Sequence, residues 1–137
     1  MSQDHHDERA IVDIVVRASC RWDDRDPAVV ADCFHDDGKL IVFKSGEKLG
    51  EWPKREAMMS RFKESMDIFV GVSVRHVVTN SLIETRTETH ADVKSYVTVL
   101  VGTESGGFAI HGTGRYEDRL RHSPKGWLIE SRTIRLD

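Results

Sequence analysis

The chain has 137 residues, 39% of them hydrophobic and 31% charged, with 20 basic and 23 acidic side chains for a formal net charge of −3. That is the size and composition of one globular domain, residues 1–137, and neither of a disordered chain nor of a two-domain enzyme. The charge balance excludes the basic bias of a nucleic-acid binder, and no apolar run approaches the ~20 residues that cross a bilayer.

The first residues, MSQDHHDERA, are polar and acidic, unlike a secretory signal, and residues 1–7 read as a loose tail carrying His5 and His6. A first helix is predicted over residues 8–25, because Ile11, Ile14, Val15, Ala18 and Trp22 recur at three- and four-residue spacing on one stripe. Asp26 can cap a second, short helix, and Pro27 suits its first turn. Val30, Ala31 and Phe34 give that segment an apolar face, and His35-Asp36-Asp37-Gly38 reads as the turn that ends it. Lys39 to Phe43 reads as a short strand with Ser45-Gly46 as its turn. A third helix is expected from about Pro53 to Met66, with Met58, Met59, Phe62 and Met66 on its core face.

From Gly71 onward β-branched residues dominate, and four long strands are predicted: Val72–Glu84, His90–Thr103, Gly107–Arg121 and Trp127–Leu136. The connections between them are short enough for hairpins, so the four should form an antiparallel meander. Helices first and strands afterwards point to an α+β domain. Cys20 and Cys33 lie in apolar-periodic segments without CxxC spacing, which fits reduced core thiols in a cytoplasmic protein.

Among seven histidines, His35, His90 and His122 fall at turns and read as solvated. His76 stands mid-strand, on the face shared by Val72, Val74, Val78 and Asn80, where an imidazole is desolvated unless something pairs with it. His111 is also mid-strand, but alternation puts it opposite Phe108, Ile110, Gly112, Gly114 and Tyr116, facing away from the core. Asp23 follows Trp22 at the end of the first helix, where a negative charge is unfavourable unless it has another task. Tyr116 shares its face with Gly112 and Gly114, whose missing side chains leave room for a ligand.

The segments Arg21–Asp37, Arg75–Asn80, Ala91–Tyr96, Gly114–Leu120 and Gly126-Trp127 together resemble the NTF2-like superfamily, and within it the SnoaL-like group that includes scytalone dehydratase. The resemblance covers about residues 8–136. It implies a cystatin-like conical barrel: three N-terminal helices packed on a curved, mostly antiparallel sheet around an apolar pocket. It implies a catalytic aspartate at Asp23 and its histidine partner at His76, working as a general base without a metal or organic cofactor. The expected function is a dehydratase-like β-elimination on a small cyclic or aromatic hydrophobic substrate. A polyketide cyclase, a ketosteroid-isomerase-like enzyme and a non-catalytic small-molecule-binding module are the alternatives the superfamily offers. Trp22 and Val42 or Phe43 stand where the dehydratase carries substrate-holding tyrosines, so scytalone itself is not the expected substrate. Asn80, Tyr96 and Tyr116 are the candidate replacements, with Trp22 and Val42 lining the pocket. Relatives usually dimerise through the outer face of the sheet, so a homodimer or higher homo-oligomer is expected, with no nucleic-acid or membrane partner.

Overall fold

The computed structural model describes residues 2–137, with side chains described from residue 7 onward. The helix α1 (Ser2–Asp23) starts earlier than its apolar stripe does, so residues 2–7 extend the helix and are not the loose tail that their polarity suggests. Asp7 is bound to Arg86 at 2.8 Å, which ties that turn to the sheet. The side chains of His5 and His6 lie outside the described residues. The stripe Ile11, Ile14, Val15, Ala18 and Trp22 is buried as its spacing requires, while Cys20, one position off it, is exposed. Cys33 is buried, and that burial pushes its thiol pKa up.

Asp26 caps α2 (Pro27–Ala31) by accepting from the main-chain N–H groups of Ala28 and Val29. The strand β1 (Phe34–Lys44) runs straight through the expected turn at 35–38, because those residues form a bulge in its pairing with the last strand. Gly38 sits where that bulge closes, and a Cβ there would meet the Glu130 carbonyl oxygen at 2.8 Å. His35 is not a free turn residue: its Nε2 lies 3.0 Å from the Arg121 carbonyl oxygen. The strand β2 (Glu47–Pro53) escapes a sequence reading because it is a largely exposed edge strand with charges and a glycine in place of apolar alternation. Then come α3 (Lys54–Ile68), β3 (Val74–Arg86), β4 (His90–Gly102), β5 (Phe108–Ser123) and β6 (Gly126–Leu136).

The six strands form one curved, unclosed sheet in the order β2-β1-β6-β5-β4-β3. β3 to β6 are the expected antiparallel meander. β1 closes against β6 in parallel, the one parallel pairing of the sheet. The helices lie on the concave side, and Ile11, Val15, Met58, Leu120 and Ile129 are fully buried between the layers. No helix among the described residues is long and apolar enough to cross a membrane.

Candidate active site

α1 ends at Asp23, and β3 passes beside that end. The Asp23 carboxylate therefore meets His76 twice. Oδ1 lies 2.7 Å from the imidazole Nδ1, and Oδ2 accepts the His76 main-chain N–H at 2.9 Å. Both side chains are about 15% exposed, so the pair is largely shielded from water. The unfavourable placement of a carboxylate at a helix C-terminus is resolved here, since these two bonds satisfy it. The two-point hold fixes the ring plane, and a carboxylate at Nδ1 leaves Nε2 as the free nitrogen.

His76 lines a cavity of about 330 Å³ between the concave face of the sheet and the helices, whereas Asp23 stands behind it. That volume lies at the low end of the ~300–1,000 Å³ typical of small-molecule sites. Its walls are mostly apolar: Phe34, Leu40, Val42, Phe62, Val97 and Val99 among them. Trp22 packs on the imidazole with ring centroids 4.7 Å apart, and its Nε1 donates to Ser65 Oγ at 3.1 Å. Tyr116, 3% exposed, places its hydroxyl 2.8 Å from Ser19 Oγ. Burial pushes the Tyr116 phenol up, while the Arg132 charge and the Ser19 bond pull it back down, so it is a neutral hydroxyl at neutral pH. Arg132 lies over the Tyr116 ring at 3.9 Å. Its Nε and Nη2 are bound to Asp118, and Nη2 also to the Val15 carbonyl. Burial pushes the Asp118 carboxyl up and Arg132 pulls it down. At Arg132 burial pulls the pKa down, but Asp118, Tyr116 and Cys33 together outweigh it, so the pKa is raised.

Of the residues expected around a substrate, Trp22, Val42, His76 and Tyr116 line this cavity. Asn80 and Tyr96 do not. They line a separate polar groove with Ser81, Leu82, Glu84 and Lys94. Asn80 has φ +55°, inside a β3 bulge between Thr79 and Leu82 that breaks the alternation. Ser81 takes the inward position instead, 2.8 Å from Ser95 Oγ. Tyr96 pairs with Thr79 and Arg115 and is 55% exposed on the convex face.

His111 is the reverse case: it lines the cavity although strict alternation turns it away. Val99 pairs with Gly112 and Leu100 with Ile110, so His111 is the extra residue of a β5 bulge. A bulge puts two consecutive side chains on one side of a strand, which no count by twos can reveal. Phe69 joins the two imidazoles into one wall, edge-on to Trp22 at 6.1 Å and to His111 at 5.1 Å. Lys44 and Arg61 also line the cavity, and residue spacing gave neither a role.

A helix-walled apolar cavity on the concave face of a six-stranded sheet, with a carboxylate-backed imidazole in its wall, defines a cystatin-like, NTF2-like α+β domain. The chain belongs to the SnoaL-like domain family, whose model matches residues 3–133. Its fold is similar to that of a variant of Rv3472, a Mycobacterium tuberculosis protein of unknown function. The TM-score is 0.82 and the identity 25%, over 99% of this chain and 75% of that one. It is also similar to an NTF2-like protein with a cystatin-like fold from Novosphingobium aromaticivorans, with a TM-score of 0.85 and 18% identity over 98% and 84% of the two chains. ActVI-ORFA from Streptomyces coelicolor gives a TM-score of 0.78 and 19% identity over 95% and 97%. No curated protein sequence matches the chain significantly.

Proposed function

We propose that this protein is a cofactor-free lyase that carries out a dehydratase-like β-elimination on a small cyclic or aromatic substrate. The observation that carries the reading is the 2.7 Å contact of Asp23 Oδ1 with His76 Nδ1, on a histidine whose ring faces an apolar cavity. In this scheme Nε2 of His76 takes a proton from a carbon next to a carbonyl. The C–H electron pair becomes the new C=C bond as the neighbouring C–O bond breaks. The imidazolium, stabilised by Asp23, returns the proton to the leaving hydroxide, and water departs. A positioned base of this kind contributes ~10²–10⁴-fold in rate, and a dry cavity strengthens its ion pair with Asp23.

His111 supports the scheme as the group that holds the substrate oxygen. His76 pairs with Val99, and Val99 with Gly112, the neighbour of His111. The two imidazoles are therefore about two strand spacings, roughly 10 Å, apart at the backbone, which leaves room for a ring between them. Tyr116 and Trp22 shape the walls. The protein acts as a homodimer through the convex face of the sheet, and its ligand is a small hydrophobic molecule.

The test is Asp23→Asn. An amide at this position can turn its NH₂ to Nδ1 and enforce the wrong tautomer. Turnover of cyclic β-hydroxy ketones, read as enone absorbance, should fall ~10²–10⁴-fold in Asp23→Asn while product binding stays within about threefold. Nitrogen NMR of the wild-type ring should show a proton on Nδ1 of neutral His76. Undiminished turnover in Asp23→Asn and in His76→Gln, or a ring protonated only on Nε2, would sink the dyad.

A further inference from the structure

The cavity is apolar in its body but not electrically neutral. Three cationic side chains line it, and no carboxylate among the described residues does. One of them, Arg132, is spent: Asp118 and the Val15 carbonyl hold it. Lys44 and Arg61 are not. Leu40, Val42 and Lys44 alternate onto the cavity side of β1, with Lys44 last at the rim. Its Nζ donates to a main-chain oxygen of Asp137, the last residue of the sequence, at 2.9 Å, so it already faces one acidic residue and has two of its three ammonium donors left. Arg61 reaches in from α3 and lies over the Trp52 ring at 4.7 Å. That ring covers Gly50, where a Cβ would meet it at 2.9 Å, and Gly50 pairs with Val42. So the Arg61 guanidinium is stacked on a β2 ring that lies beside β1, the strand whose cavity side ends in Lys44. Among the described residues its one carboxylate contact is Glu64 at 3.9 Å, an exposed side chain too distant for a strong pair. The neighbouring Arg55, by contrast, is bound to Asp32 at 2.8 Å and serves the fold.

We propose that Lys44 and Arg61 form an anion subsite, and that the cavity's ligand is an apolar ring system bearing a carboxylate. This rests on the preceding reading only in taking the cavity as the substrate site, not in the chemistry assigned to His76. A guanidinium fork and an ammonium in the wall of one cavity are both suited to pair with a carboxylate. A neutral ring of the same size would give the two cations no opposite charge in return for whatever water it displaces. β1 and β3 lie far apart in the sheet order, so the carboxylate and the carbon presented to His76 belong at opposite ends of the ligand.

The experiment is calorimetric titration of 2-naphthoate against its neutral isostere 2-naphthamide. The wild type should bind the carboxylate at least ~10-fold more tightly, with added salt weakening the naphthoate alone. In Lys44→Gln/Arg61→Gln the preference should fall toward one, with naphthamide affinity within about twofold of wild type. Arg61→Lys, which keeps the charge but not the fork, should retain part of the preference. His76→Gln should keep all of it, so the subsite can stand even if the elimination chemistry falls. Equal affinities in the wild type, no measurable naphthoate binding, or a preference unchanged in the double variant would overturn the subsite.

Discussion

Tyr116 is one of two tyrosines in the chain, and the one inside the fold, 3% exposed against 55% for Tyr96. In a Tyr96→Phe protein, phenolate absorbance therefore reads Tyr116 alone. Burial raises its pKa above the unfolded value of ~10, against the opposing pull of Arg132 and Ser19. The native state thus holds this proton more tightly than the unfolded chain does. Its contribution to stability is complete below pH ~10 and is lost as pH rises through the folded value. The phenolate signal should appear above the ordinary range and together with the loss of near-ultraviolet dichroism. Adding Ser19→Ala removes the bond that lowers the pKa, so the transition should move further up. A Tyr116 that ionises at ~10 in a protein still folded would contradict the buried placement. The same scale separates what single residues reveal. Asp23 betrays itself as a charge at the wrong end of a helix, and His76 as an imidazole among valines. Lys44 and Arg61 carry no such mark, because a lysine at a strand end and an arginine on a helix look alike whether they face water or a cavity.

In β5 two glycines two residues apart do different work. A Cβ on Gly112 meets nothing within 4 Å, and Gly112 lines the cavity. A Cβ on Gly114 would lie 2.5 Å from the Arg135 carbonyl oxygen, main chain that cannot swing aside. Gly112→Val should therefore fold with stability within about 1 kcal/mol of wild type, yet weaken 2-naphthoate binding at least ~10-fold by filling its space. Gly114→Ala should lower stability by ~1–3 kcal/mol in urea unfolding, since β6 must move away. Equal destabilisation by both would mean that the cavity beside Gly112 is closed in solution. Sequence patterning reads such elements well while they are regular: the four strands of the meander follow from their β-branched residues and short connections, and both long helices from the spacing of their apolar residues. It fails at the irregularities. The bulges at Asn80 and His111 each shift the inward set by one residue, taking Asn80 out of the site and bringing His111 in. The edge strand β2 and the start of β1 are invisible for a related reason, since their residues carry turn or charge signatures and the pairing is decided by the neighbouring strand.

At the scale of the whole molecule, helices cover the concave face around the cavity, while the convex face carries exposed apolar side chains. The Asp118–Arg132 pair, with its bond to the Val15 carbonyl, ties β5 and β6 to α1 from the inside. On the outside, Leu100 pairs with Ile110 and Gly102 with Phe108, while Arg75 stands beside Leu100 and reaches over the Phe108 ring at 5.9 Å. Ile110 is 68% exposed and Phe108 52%, with Val77 and Tyr96 exposed on the neighbouring strands. The bulge that sends His111 inward is also what leaves Ile110 on this face, so one extra residue shapes both the site and the surface. A soluble single chain rarely leaves so contiguous an apolar patch open to water, and a two-fold contact lets the same patch cover its own copy. The protein at micromolar concentration should therefore sediment as a dimer. Phe108→Ser/Ile110→Lys should sediment as a single chain with an unchanged far-ultraviolet spectrum, because both side chains are exposed and support no core packing. The double variant should also still prefer 2-naphthoate, since neither residue lines the cavity. A wild type that sediments as one chain would refute the dimer. A dimer that survives the double variant would place the contact elsewhere, with the free edge of β3 as the next surface to test.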